Sequence, residues 1–189
     1  MKTMKEENYY CIISNKIKNE LQQSFEDLNG FIVDVVPCGS IDMPHGLTKI
    51  AQQNTINICS LGVEPEMVRG LYIDILGCVY SMNGERGLLF ISEVKKGKLS
   101  LTHLAQLIGY CIASKTRYGL LIGIDKRVTG GFENIVRRNP HLLHFKLGNS
   151  EYNIGVGWWN SNTNEFNFDD FGKINSYTHL SRHIAMQLR

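Results

Sequence analysis

The sequence predicts an α/β protein whose central sheet is mixed and flanked by helices. Three observations carry that expectation. Two strand-like runs, residues 71–81 and 87–95, meet across Asn83-Gly84, which predicts an antiparallel hairpin. A helix-like stretch from Ser100 to about Lys115 precedes the almost wholly apolar residues 118–125, and strand, helix, strand predicts a parallel pair. Apolar residues at steps of three and four, early and late in the chain, predict amphipathic helices.

The elements follow in order. Ser14 or Asn15 can cap a helix to about Leu28, with Ile13, Ile17, Leu21, Phe25 and Leu28 as its apolar stripe and Asn29-Gly30 as its stop. Residues 31–36 read as a short strand closed by Pro37. Residues 38–70 read as a long loop around a short helix at about 46–53, and loops of that length are often functional. After the hairpin, Ser100 caps the next helix, which is apolar on most of its surface, and residues 118–125 form a strand covered on both faces. Gly130-Gly131 opens a helix to about Arg138, stopped by Pro140. Residues 152–159 and 165–168 predict a second hairpin, and Tyr177, Leu180, Ile184 and Leu188 a last helix.

Composition narrows the function class. The chain of 189 residues is 43% apolar and 20% charged, an ordinary globular mix read as one domain. No apolar run is long enough to cross a membrane, and Met1 to Asn8 does not read as a signal peptide, so cytoplasm is the expected location. Five scattered cysteines, with no CxxC pair, are expected to be free thiols. The net charge of +2 is unevenly spread: residues 95–146 hold ten Lys/Arg against Asp125 and Glu133. That local balance of +8 suits a protein that offers one face to a polyanion.

Register sharpens the reading. With Asn83 and Gly84 as the turn, the numbers of paired residues total 167, as those of Asp74 and Glu93 do. The two carboxylates are then expected to face each other, with Lys95 on the same face. Opposed like charges among Ile73, Ile75, Ile91 and Val94 are destabilising unless a divalent cation bridges them. Mg²⁺ (or Mn²⁺) is the cation expected, since it is commonly held by one or two carboxylates. Lys95 would orient an attacking water or offset charge on phosphorus, which together are the parts of metal-assisted phosphodiester hydrolysis. The plainer alternative is an ion cluster on a solvated sheet face.

Asp74, the hairpin, Glu93-Val94-Lys95, a helix and an apolar strand resemble the PD-(D/E)XK nuclease superfamily. The resemblance implies a restriction-endonuclease-like core over about residues 14–125, with a C-terminal extension. It also implies Asp74 and Glu93 as metal ligands and Lys95 as the catalytic lysine. Ile73 stands where the family's signature has proline. Two branches are similar in different places. Archaeal Holliday-junction resolvases place a glutamate on the first helix, then a strand, then Gly-Ser. Here Glu20, residues 31–36 and Gly39-Ser40 fit that order, which implies Glu20 beside the metal and Ser40 near the phosphate. RecB-type nucleases carry Gln-x-x-x-Tyr on the helix after the ExK motif, and Gln106 and Tyr110 fit, sharing one helical face. Lys96, Lys98, Ser40 and Tyr110 are the expected nucleic-acid contacts, and Gln106 joins the catalytic set.

The expectation is therefore a Mg²⁺-dependent DNA endonuclease, structure-specific or site-specific, acting as a homodimer on duplex or branched DNA. A RecB-type exonuclease is the first alternative and a non-catalytic nucleic-acid-binding module the second. Weaker features are Trp158-Trp159, expected to place one ring in the core, and His141 with His144, which lack a carboxylate to complete a metal site.

Overall fold

The computed structural model describes residues 5–28, 30–54, 56–128 and 130–188. Residues 1–4, part of the leader reading, and Asn29, part of the predicted helix stop, lie outside the described residues. Helix α1 (Glu7–Ser24) precedes strand β1 (Phe31–Pro37) and helix α2 (Met43–Asn54). Strands β2 (Ile75–Ser81) and β3 (Gly87–Lys96) form the hairpin; helix α3 (Leu101–Ala113) and strand β4 (Tyr118–Ile124) follow. Helix α4 (Gly131–Arg138), strands β5 (His144–Leu147), β6 (Ser150–Asn160) and β7 (Glu165–Phe168), and helix α5 (Tyr177–Leu188) complete the chain.

The strands form one mixed seven-stranded sheet in the order β1-β2-β3-β4-β6-β5, with β7 also on β6. β3–β4 and β4–β6 are parallel and the other pairings antiparallel. One face is covered by α1 and α5, whose Ile13, Ile17, Leu21, Leu180 and Ile184 meet Phe90, Val94 and Leu120. The other is covered by α2, α3 and α4 through Leu47, Leu107 and Val136, which pack with Leu76, Ile91 and Leu121. Helices on both faces leave β4 buried along its whole length, as its continuous apolar run requires.

Several boundaries differ from the sequence reading. α1 starts two turns before Ser14, because Tyr10 extends the buried stripe toward the N-terminus. Ser14 is buried inside the helix and donates to the Cys11 carbonyl, so it is no cap. β2 begins at Ile75, not 71, and β5 is an additional strand. The hairpin turn is also wider than expected. Ser81 N–H bonds to the Arg86 carbonyl and Gly84 N–H to the Ser81 carbonyl, and Gly84 alone of the two central residues has positive φ (+70°). A type I′ turn needs positive φ at both. The register is nevertheless the expected one: Ile75↔Ser92 and Tyr80↔Gly87 both total 167, since widening the loop by one residue on each side leaves the pairing unchanged.

Candidate metal centre

The β2–β3 ladder stops one pair short of Asp74. The Asp74 carbonyl turns to the loop after β1 and accepts from Cys38 N–H (2.8 Å) and Gly39 N–H (3.2 Å). Its carboxylate reaches over the strand end, where Oδ2 accepts from Val94 N–H (2.7 Å). Asp74 therefore meets β3 through its side chain, on the sheet face that carries Glu93 and Lys95. Glu93 is 1% exposed. Lys95 Nζ lies 2.6 Å from Glu93 Oε1 and 3.7 Å from Asp74 Oδ2.

Three further side chains join from distant segments. Glu6, just before α1, accepts from Lys96 N–H at Oε2 (2.7 Å) and lies 3.9 Å from Lys95 Nζ at Oε1. Tyr10, one turn along, donates to Glu6 Oε1 (3.2 Å) and lies close enough to Asp74 to favour its charged form. His103 stands in the first turn of α3, which Ser100 caps. Its Nδ1 is buried without a hydrogen-bond partner among the described residues.

The electrostatics are those of an overfilled acidic site. Burial, then the charge of Asp74, pushes the Glu93 carboxyl up to about 7 against the pull of Lys95. Burial also raises Asp74, outweighing the Val94 N–H, the Lys95 charge and the Tyr10 hydroxyl. For Lys95, burial acts downward, but the close Glu93 carboxylate and the charges of Asp74 and Glu6 together hold the ammonium above the ordinary lysine value. Burial, then the Lys95 charge, holds the His103 imidazole below the ordinary histidine value.

The other expected site residues are dispersed. Glu20 pairs with Lys16 on α1 (2.7 Å), fourteen residues and so roughly 21 Å along the helix from Glu6. It is Glu6, at the start of α1, that stands beside Lys95. Ser40 is exposed and lines a cleft of about 230 Å³ with Glu7, Tyr10, Cys38 and Gly39, next to the backbone that holds Asp74. Gln106 donates to the Tyr110 hydroxyl (2.9 Å), one turn beyond His103 on α3. Lys96 and Lys98 are exposed at the end of β3. The +8 segment does not form one face. Lys126 and Arg127 join Lys96 and Lys98 at the carboxyl ends of β3 and β4, whereas Lys115 and Arg117 precede β4 at its opposite end. Trp159 is buried and Trp158 half-buried. His144 is engaged by Asn153 and Lys173.

Among the described residues, no group of three or more His, Cys, Asp or Glu side chains is arranged to hold a metal ion. Asp74 and Glu93 are a pair, and a pair suits a cation that keeps its remaining positions for water and phosphate oxygens. The raised carboxyls are what such a cation would relieve, and Lys95 meets that need in its place here. No protein-family model, curated protein or solved structure matches the chain.

Proposed function

We propose that the chain is a metal-dependent nuclease that hydrolyses DNA phosphodiesters, with Asp74 and Glu93 as metal ligands and Lys95 as the catalytic lysine. The supporting observation is the convergence of a buried and a half-buried carboxylate, mutually repelling, and one lysine at the ends of β2 and β3. Exposed Lys96, Lys98, Lys126 and Arg127 lie at the carboxyl ends of the neighbouring strands, where ligands of open α/β sheets commonly bind. The order α1, β1, hairpin, α3, β4, with α2 inserted after β1, is also that of the nuclease core the motif resembles. Structure-specific endonuclease action by a homodimer is the first form of the proposal, because a two-fold substrate is matched by a two-fold protein. The Gln106–Tyr110 bond on α3 favours a second form, a RecB-type exonuclease.

A divalent cation held by Asp74 and Glu93 would supply Lewis-acid polarisation of a phosphoryl oxygen and a water of lowered pKa. The chain's own groups do the rest. The Val94 N–H, donating to Oδ2, fixes the orientation of Asp74. Lys95, kept protonated by three carboxylates, offsets negative charge on the phosphoryl oxygens as water bonds to phosphorus and the bond to the leaving sugar oxygen breaks. Glu6 supplies a third carboxylate beside Lys95.

The test is cleavage of circular plasmid, linear duplex, single strand and a four-way junction with Mg²⁺, Mn²⁺ or EDTA. Metal-dependent cutting is expected, lost in Asp74→Ala, Glu93→Ala and Lys95→Ala. Glu6→Gln should slow it by about 10- to 100-fold, while Glu20→Gln leaves it unchanged. Cutting of the circle marks an endonuclease, and cutting only from ends the RecB-type form. Wild-type rates in both Asp74→Ala and Glu93→Ala would sink the proposal.

A further inference from the structure

We propose that Arg127, anchored by the buried carboxylate of Asp169, grips a backbone phosphate of the nucleic-acid strand beside the Asp74–Glu93–Lys95 centre. The inference rests on the nuclease reading and adds to it a phosphate contact built by the C-terminal third of the chain.

Position comes first. In the β3–β4 ladder Lys95 pairs with Gly123, so the two backbones lie about 5 Å apart. Gly123 lets two loops close over it: an added Cβ would stand 3.2 Å from the Lys126 carbonyl oxygen and 3.3 Å from Leu99 Cγ. The loops that follow β3 and β4 thus meet one strand away from Lys95, and Lys98, Leu99, Arg127 and Val128 line one small cleft.

The anchor comes from the far side of the sheet. Asp169 follows β7 and is fixed by its N–H, which donates to the Val156 carbonyl on β6 (2.8 Å). It is 5% exposed. Oδ1 is 3.9 Å from Arg127 Nε, and Oδ2 has no hydrogen-bond partner among the described residues. A buried carboxylate whose Oδ2 lacks a partner and whose Oδ1 meets Arg127 only as an ion pair, too far for a hydrogen bond, is costly and calls for a reason. Its effect on Arg127 supplies one. The guanidinium is a rigid fork of five donors, so turning its Nε edge toward Asp169 leaves the Nη edge facing outward. The Arg127 side chain is 72% exposed, and that edge can donate two parallel hydrogen bonds to a phosphate. Arg137 is different: Glu133 (2.9 Å) and Asp170 (2.7 Å) already take its Nε and Nη2 donors, and its guanidinium lies over the Phe171 ring.

The experiment is binding of a fluorescent DNA duplex across a salt series in EDTA, alongside metal-dependent cleavage by the same wild-type preparation. Arg127→Ala should weaken binding roughly tenfold and reduce the slope of log affinity on log salt by about 0.9, one phosphate contact. Lys115→Ala, an exposed cation at the other end of β4, should change the affinity less than Arg127→Ala. Asp169→Asn should weaken binding in the wild-type background but not in Arg127→Ala, with both variants melting cooperatively. Arg127→Lys should keep the salt slope and lose the dependence on Asp169. Unchanged affinity in Arg127→Ala, with wild type binding and cutting DNA, overturns this inference and spares the nuclease reading. A weakened Arg127→Ala beside an unchanged Asp169→Asn overturns the anchor. Wild type that neither binds nor cuts overturns both.

Discussion

Glu93 shows how a single residue sets the energetics of the centre. It is 1% exposed and shares its surroundings with a second carboxylate, so the folded chain holds its proton up to about pH 7 rather than the ordinary 4.5. Between those values the folded state binds more protons than the unfolded one, and stability falls as pH rises. Asp74, also raised, acts in the same direction. The loss through Glu93 is at most about 3 kcal/mol. Glu93→Gln should therefore match wild type near pH 4.5 and exceed it at pH 8 in EDTA, as measured by urea unfolding. Mg²⁺ should raise the wild-type midpoint at pH 8 and move that of Glu93→Gln much less. A wild-type advantage over Glu93→Gln at pH 8 without metal would mean that Lys95 more than compensates the buried charge.

At the scale of the element, the β2–β3 hairpin fixes where these residues go. A one-residue slip would send Glu93 and Lys95 to the α1/α5 face. The pairing of Gly77 with Phe90 opposes such a slip, because a Cβ on Gly77 would lie 2.0 Å from Phe90 Cζ. The ring lies over the glycine, and a slipped register would bring a side chain beneath it. Gly77→Ala should cost about 1–3 kcal/mol in urea unfolding, and less when Phe90→Leu is added. The free edge of the sheet is guarded too. On β1, Val33 N–H donates to Gln22 Oε1 (2.8 Å) and the Phe31 carbonyl accepts from Gln22 Nε2 (3.2 Å), so a helix side chain occupies an edge open to another strand. The hairpin register was legible because period-two alternation and one turn fix it locally. The turn type was not, because Met82 N–H bonds to the Gly30 carbonyl beyond β1, a partner that no local pattern announces.

For the whole molecule, the segment after Asp125 is more than an extension. β6 pairs with β4 along the whole of β4, and Trp159 and Ile154 fill opposite faces of the sheet. α5 packs on α1 through Leu180 and Ile184, and Ser181 bonds to the Ser24 carbonyl (3.3 Å). A chain truncated after Asp125 would expose both faces and one edge of β4, and is expected to show no cooperative unfolding transition by circular dichroism. A cooperative transition in that fragment would show that the segment up to Asp125 folds alone. Among the described residues no helix is long and apolar enough to cross a membrane.

By itself the sequence determined the α/β class, the hairpin register, the central position of β4 and the shared face of Glu93 and Lys95. Each follows from periodicity, a turn or a continuous apolar run, all properties of neighbouring residues. Tertiary structure decided which groups surround the carboxylates. Glu6 reaches the Lys96 N–H across ninety residues of chain, Tyr10 arrives from the helix on the other face, and Asp169 comes to Arg127 from beyond β6. Glu20 and Glu6 lie on or beside the same helix, and helical periodicity cannot say which end of it meets the strand ends. The docking of α1 against the sheet, set by burial of Tyr10, Ile13, Ile17 and Leu21, brings Glu6 to Lys95 and leaves Glu20 beside Lys16.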